Sequence, residues 1–133
     1  DTKNPVVGLM TEWIRNNAKI KRTVDSDKGG TMRLGSYPCC ILKGSLINKI
    51  YGSSKIFERH RHRYEVNTKY LNKFKENGFI YSGMSPDNLL PEILESKNHS
   101  WYIGVQFHPE LKSRPQNPHP LFISFIEACI RKE

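Results

Sequence analysis

The stretch Trp101-Tyr102-Ile103-Gly104-Val105-Gln106-Phe107-His108-Pro109-Glu110 decides how the chain is read. Its first seven residues are largely apolar or small and predict a buried strand. The run ends abruptly in a histidine, a proline and a glutamate. A proline pushes the residue before it towards extended geometry, so His108 is expected to continue the strand direction. In an extended chain, residues i and i+2 point to the same side. His108 and Glu110 are therefore expected to face one cleft, with Pro109 stiffening the link. A histidine beside a carboxylate at the exit of a buried strand is an acid/base pair suited to activating a nucleophile. A hydrogen-bonded structural histidine is the competing reading of the same residues.

Upstream lies a second charged run, Glu58-Arg59-His60-Arg61-His62-Arg63-Tyr64-Glu65-Val66-Asn67. If extended, it puts Arg59, Arg61 and Arg63 on one face and Glu58, His60, His62 and Tyr64 on the other. A row of guanidiniums suits carboxylate or phosphate, which each grips in bidentate fashion. Structural alternatives stand beside this: pairing with acidic residues of a neighbouring domain, or a solvated edge strand protected by charge. Nucleic-acid binding fits less well, because interleaved aromatic or glycine-rich elements are missing.

The chain has 133 residues, enough for one domain with a core. Hydrophobic residues at 37% and charged residues at 26% give an ordinary globular balance. No run approaches the length of a membrane-spanning helix, and the first residues have neither an initiator methionine nor the apolar centre of a signal peptide. The chain is thus expected to be part of something longer. The net charge of +8 favours acidic partners or simply a solvated basic surface. Cys39, Cys40 and Cys129 form no disulfide framework, which points to a reducing, cytoplasmic setting. They have no Cys-x-x-Cys spacing, and the His60-x-His62 pair has no evident third ligand, so no metal site is expected. Cys39 and Cys40 have no glycine-flanked elbow and are expected to pack rather than react.

Turn and cap residues divide the remainder. Residues 6–10 are a short apolar run, residues 11–18 a helical turn, and residues 25–30 a loop. Residues 31–35 and 38–42 read as strands of an antiparallel meander, with Cys39 and Ile41 on one face. Residues 45–51 have helical spacing, with Gly52 as the cap. Thr68 is placed to open a helix that Gly78 stops. Residues 79–82 and 89–95 read as strands around the turn 85–88. Pro120 opens a final helix whose apolar stripe is Leu121, Phe122, Phe125, Ile126, Cys129 and Ile130.

Taken together these motifs resemble the C-terminal part of the glutamine amidotransferase domain of the CTP synthase family. The resemblance rests on Gly29-Gly-Thr-Met-Arg-Leu-Gly35, on the run from Glu58 to Asn67, and on Gln106-Phe-His-Pro-Glu110. Ser113-Arg-Pro115 and Pro120-Leu-Phe122 follow in the family's order. His-Pro-Glu alone is shared by all class I amidotransferases. The resemblance runs from about Pro5 to the end.

The resemblance implies an α/β fold: the C-terminal half of a flavodoxin-like class I glutamine amidotransferase domain, with a small antiparallel β region. It implies that His108 shuttles protons, that Glu110 orients His108, and that Arg63 holds the α-carboxylate of the substrate glutamine. The ammonia released would aminate UTP in a separate synthetase domain, using ATP and magnesium, with GTP as activator. Arg61 is near enough to be considered for that effector. The implied partners are L-glutamine, the synthetase domain, the other half of the glutaminase domain and further copies in a tetramer, with neither nucleic acid nor membrane. The family's nucleophile, in a Gly-x-Cys-x-Gly elbow, has no counterpart in residues 1–133. A partial domain of this kind is expected to be inactive alone. A degenerate, non-catalytic glutaminase acting as a docking module is the alternative. Pro91 and Ser100 depart from the family's usual residues outside the expected site.

Overall fold

The computed structural model describes residues 4–9 and 32–131. The expected turn at residues 11–18 and loop at 25–30 lie outside them. In chain order the elements are β1 (Val7–Leu9), β2 (Arg33–Ile41), α1 (Leu46–Tyr51), β3 (Lys55–His62), β4 (Tyr64–Val66), α2 (Leu71–Glu76), β5 (Phe79–Met84), β6 (Pro91–Ser96), β7 (Ile103–Val105) and α3 (Pro120–Ile130). The expected α/β class is borne out, and every strand pairing among the described residues is antiparallel. Strands β1 and β4 form a two-stranded ribbon. The main sheet runs β3-β2-β5-β6-β7.

Local chemistry explains most boundaries. The two strands expected at 31–35 and 38–42 are one, because Pro38 sits in a strand whose partner β3 runs continuously opposite it, from Lys55 to His62. Ser45 caps α1 by accepting the Asn48 N–H, and Gly52 ends it in the left-handed region at φ 63°. The Glu95 carboxylate accepts the Leu46 and Ile47 N–H groups, both at 2.9 Å, so an anion meets donors the helix cannot satisfy itself. Asn67, one residue before the expected cap, accepts the Lys69 N–H and opens a 3-10 turn (Thr68–Tyr70) leading into α2. Pro91 takes the first position of β6, where a missing donor is tolerated.

The sheet curls. Strands β2 and β5 pair over a short stretch, at Cys40↔Met84 and Ile41↔Gly83, and just beyond it the Leu42 N–H donates to the Ser82 carbonyl at 2.8 Å. Beyond the opposite edge, the chain leaving β7 returns to β3: the His108 N–H donates to the Arg59 carbonyl at 2.8 Å. The concave side holds Cys39, Ile41, Ile56, Ile93 and Phe107, with Ile47 of α1 and Leu121 of α3 packed in. The apolar stripe expected on the final helix is present, but only Leu121 is buried among the described residues. Phe122, Phe125, Ile126 and Ile130 are exposed. Trp101 covers part of this face through a Phe125 ring contact at 5.1 Å and a hydrogen bond to Ser124 Oγ.

Gly83 pairs with Ile41 of β2 and sits at a register shift between β5 and β6. A Cβ there would lie 2.5 Å from Ile93 Cγ1 and 2.8 Å from Cys39 Sγ. Gly83→Ala is expected to cost about 1–3 kcal/mol through overpacking. Gly104→Ala, whose Cβ would meet only Leu94 Cβ at 4.0 Å, should stay within about 0.5 kcal/mol of wild type. Urea titrations of the two variants check this, and equal midpoints would overturn the close-packing argument.

Candidate active site

The expected contact between His108 and Glu110 is formed. His108 Nδ1 lies 2.7 Å from Glu110 Oε1. The route differs from the expectation of continued strand. Strand β7 ends already at Val105, His108 follows at φ −114° and ψ 89°, and Pro109–Leu111 forms a 3-10 turn. Pro109 takes its first position, where the fixed φ suits a helical turn. The turn lifts Glu110 back towards the imidazole, achieving the contact that alternation predicted. Slight burial would raise the Glu110 pKa, but its own backbone N–H and His108 hold it below the ordinary carboxylate range. An ionised Glu110 accepting from Nδ1 leaves Nε2 as the proton-handling atom. Both side chains are open to solvent, at 37% and 58% exposure, so a substrate can reach them.

Strand β3 carries the second half of the site. Ile56, Glu58 and His60 point inward and are buried, while Phe57, Arg59 and Arg61 are exposed. The arginine row is thus present on an edge strand, as the alternation predicted. The pattern breaks after His62. Arg63 occupies the single residue between β3 and β4, exposed, and Tyr64 is exposed too while Glu65 is buried. Tyr64 therefore does not join the inner face. The phase shifts because β4 leaves the main sheet to pair with β1.

Buried charge fixes both flanks of Arg63. His62 Nε2 is 2.9 Å from Glu65 Oε1. Arg33, the arginine of the Gly-Thr-Met-Arg run, lies 3.3 Å from Glu65 and 2.8 Å from Glu92. Gln106 Nε2 donates to Glu65 Oε2 at 3.4 Å. Arg33 stays charged: burial lowers its pKa, but Glu92 and Glu65 together raise it beyond its usual value. Burial raises the Glu92 pKa more strongly than Arg33 lowers it. His60 lies inside this group, 3.6 Å from Glu92 and edge-on to Tyr37 and Phe107.

A second buried network centres on Glu58, which receives Tyr51 Oη at 3.0 Å, His119 Nε2 at 3.1 Å and Lys112 Nζ at 3.1 Å, all on Oε1. Burial alone would raise its pKa, but hydrogen bonds from His119 and Lys112 hold it low. Sequence reasoning missed both networks as units. Their one available signal was alternation, which placed Glu58, His60 and His62 opposite the arginines.

The Cys39 thiol is not activated. Burial, then Glu92, pushes the Cys39 thiol up to about 12. Cys40 is half-buried and Cys129 is exposed on α3. No group of three His, Cys, Asp or Glu among the described residues is arranged to hold a metal ion. No described helix is long and apolar enough to cross a membrane.

An edge strand of arginines thus lies beside a histidine–carboxylate pair. The profile of the glutamine amidotransferase class-I family matches residues 8–128, and the chain belongs to that family. Within it, the chain is similar to CTP synthases. It is 59% identical to that of Hyphomonas neptunium over 131 residues and 61% identical to that of Rhizobium leguminosarum bv. trifolii over 128 residues. These alignments cover 98% and 96% of this chain, but the chain spans only about a quarter (24%) of either relative. Among solved structures it resembles the Trypanosoma brucei CTP synthase glutaminase domain with bound acivicin. There the TM-score is 0.77 at 34% identity, covering 96% of this chain and 47% of that one. A putative GMP synthase component from Thermoplasma acidophilum shares the fold at TM-score 0.54 and 20% identity.

The buried histidine gives this region a pH dependence. Burial first, then Arg33, His62 and His108, lowers the His60 pKa from 6.5 to about 3, against an opposing pull from Glu58. The unfolded chain therefore binds a proton near 6.5 that the folded chain refuses until about 3. This contribution to stability is complete above 6.5 and is lost as pH falls through that window. His60→Leu is expected to flatten the acid side of the stability profile. Denaturant midpoints at about pH 7 and about pH 4.5 check this, and unchanged acid sensitivity in the variant would count against a neutral His60.

Proposed function

We propose that this chain supplies the general base, its orienting acid and the substrate-carboxylate arginine for glutamine hydrolysis in the glutaminase domain of a CTP synthase. The observation that carries the reading is the 2.7 Å contact between His108 Nδ1 and Glu110 Oε1 at an exposed turn. A cysteine thiolate from outside residues 1–133 attacks the side-chain amide of glutamine. His108 Nε2 takes the thiol proton and returns it to the departing ammonia. It then takes a proton from the water that cleaves the glutamyl thioester. Glu110 holds the ring in the tautomer that exposes Nε2 and stabilises the imidazolium that forms. Arg63 grips the α-carboxylate, at a break made rigid by His62 and Glu65 on either side.

The chain is then part of a glutaminase domain, without activity by itself, whose other half brings the nucleophile. The ammonia serves a synthetase domain in which ATP and magnesium activate UTP for amination to CTP. GTP activates the first step, and the whole works as a cytoplasmic homo-oligomer. None of these nucleotides or metal ions is assigned to residues of this chain, and the outward Arg61 remains the one effector candidate.

In the full-length protein, His108→Ala is expected to lower glutamine-dependent CTP formation by at least about a hundredfold, while ammonia-dependent formation continues. Persistence of both rates would remove His108 from the mechanism. Arg63→Ala should raise the KM for glutamine by about tenfold or more, with a smaller change in kcat. Steady-state assays with varied glutamine separate the two effects. A fall in kcat alone would reassign Arg63.

A further inference from the structure

The His108–Glu110 turn is attached to strand β3 at both of its ends. At its start the His108 N–H donates to the Arg59 carbonyl at 2.8 Å. At its end Lys112, which closes the 3-10 turn with its own N–H on the Pro109 carbonyl, reaches β3 with its ammonium. Lys112 Nζ donates to the Phe57 carbonyl at 2.7 Å and lies 3.1 Å from Glu58 Oε1. The turn is therefore clipped to three successive residues of one strand, 57, 58 and 59.

The anchor on the strand side is itself fixed. Glu58 is 1% exposed. His119 Nδ1 accepts the Leu121 N–H as the cap of α3, so its proton sits on Nε2 and is donated to Glu58. Tyr51 donates its hydroxyl proton from the end of α1. Glu58 thus joins β3, α1, the start of α3 and the turn that bears the acid/base pair. Lys112 alone reaches this carboxylate from that turn. Its side chain is 41% exposed, so it is held by the two contacts and not by packing. An ammonium that gives up water for a carbonyl and a buried carboxylate holds its backbone in one place.

We propose that Lys112, anchored on Glu58, is a positioning residue that sets where Glu110 and His108 stand relative to the glutamine site. It touches no reacting atom. It fixes the far end of the turn, so that the carboxylate meets Nδ1 and Nε2 points at the amide. This inference rests on the role proposed above for His108 and deepens it.

The test uses the full-length protein carrying this chain, with Lys112→Met, Lys112→Arg and His108→Ala assayed together. Lys112→Met keeps the stem and loses the ammonium. It is expected to lower kcat for glutamine hydrolysis by about tenfold to a hundredfold, the size of effect that a small misplacement produces. KM for glutamine should stay within about twofold, because Arg63 is untouched. Lys112→Arg should recover most of kcat, since a guanidinium can span the same two acceptors. Ammonia-dependent CTP formation in the same samples shows that the protein is folded. A wild-type kcat in Lys112→Met overturns the proposal. So does a rise in KM in place of a fall in kcat, a parallel loss of the ammonia-dependent rate, or failure of Lys112→Arg to recover. If His108→Ala keeps its glutamine-dependent rate, the function itself is wrong, and that outcome is distinct from failure at Lys112 alone.

Discussion

A carboxylate taken out of water is expensive, on the order of several kcal/mol unless its partners are well placed. Glu58 is such a group, and the arrangement around it depends on meeting that cost. Tyr51, His119 and Lys112 converge on one of its oxygens from three separate segments. Removing any of them would leave a buried charge with too few partners, and such losses exceed those of an exposed ion pair. The ends of α1 and α3 and the turn after β7 are therefore placed by a single side chain of β3.

The second network works in the same way a short distance along the strand. Arg33 on β2 serves two carboxylates, Glu65 and Glu92, from different strands. His60 lies between the two groups and stays neutral, first because it is buried and then because a positive charge there would face Arg33, His62 and His108. The inner face of β3 thus carries buried polar groups, Glu58 and His60, beside a small apolar core. Its outer face carries cations in water. The two faces meet at Arg63, where the strand stops and the chain changes sheets.

Much of this was legible in the sequence, for identifiable reasons. The His108–Glu110 pairing followed from the i, i+2 rule, although a 3-10 turn delivers it. Helix α1 announced itself through its spacing and Gly52, and α3 through Pro120. The inward and outward faces of β3 were readable as far as His62, because a period of two cannot be disguised when charged types alternate. The break at Arg63 was not, since Arg-His-Arg-Tyr keeps the same rhythm across it. What ends the strand is the pairing of β4 with β1, a contact to a segment more than fifty residues earlier in the chain. The partners of Glu58 were equally hidden. Lys112 and His119 lie more than fifty residues beyond Glu58, and the curl of the sheet brings them to the oxygen that Tyr51 reaches from nearby in sequence. The stripe on α3 was legible as a stripe, yet burial reaches only Leu121 among the described residues.

The alternation of β3 has a consequence for how such a domain diversifies. A slip of one residue against β2 would turn every side chain over, placing guanidiniums inside and Glu58 in water. That fault is severe enough to be removed by selection, so the strand's register is protected by its own interior. Substitutions at Arg59 or Arg61 change no buried contact. The outward row can therefore drift towards other ligands one residue at a time, while the scaffold beneath it stays fixed. One strand thus offers evolution a constrained side and an editable side, separated by the thickness of a single backbone.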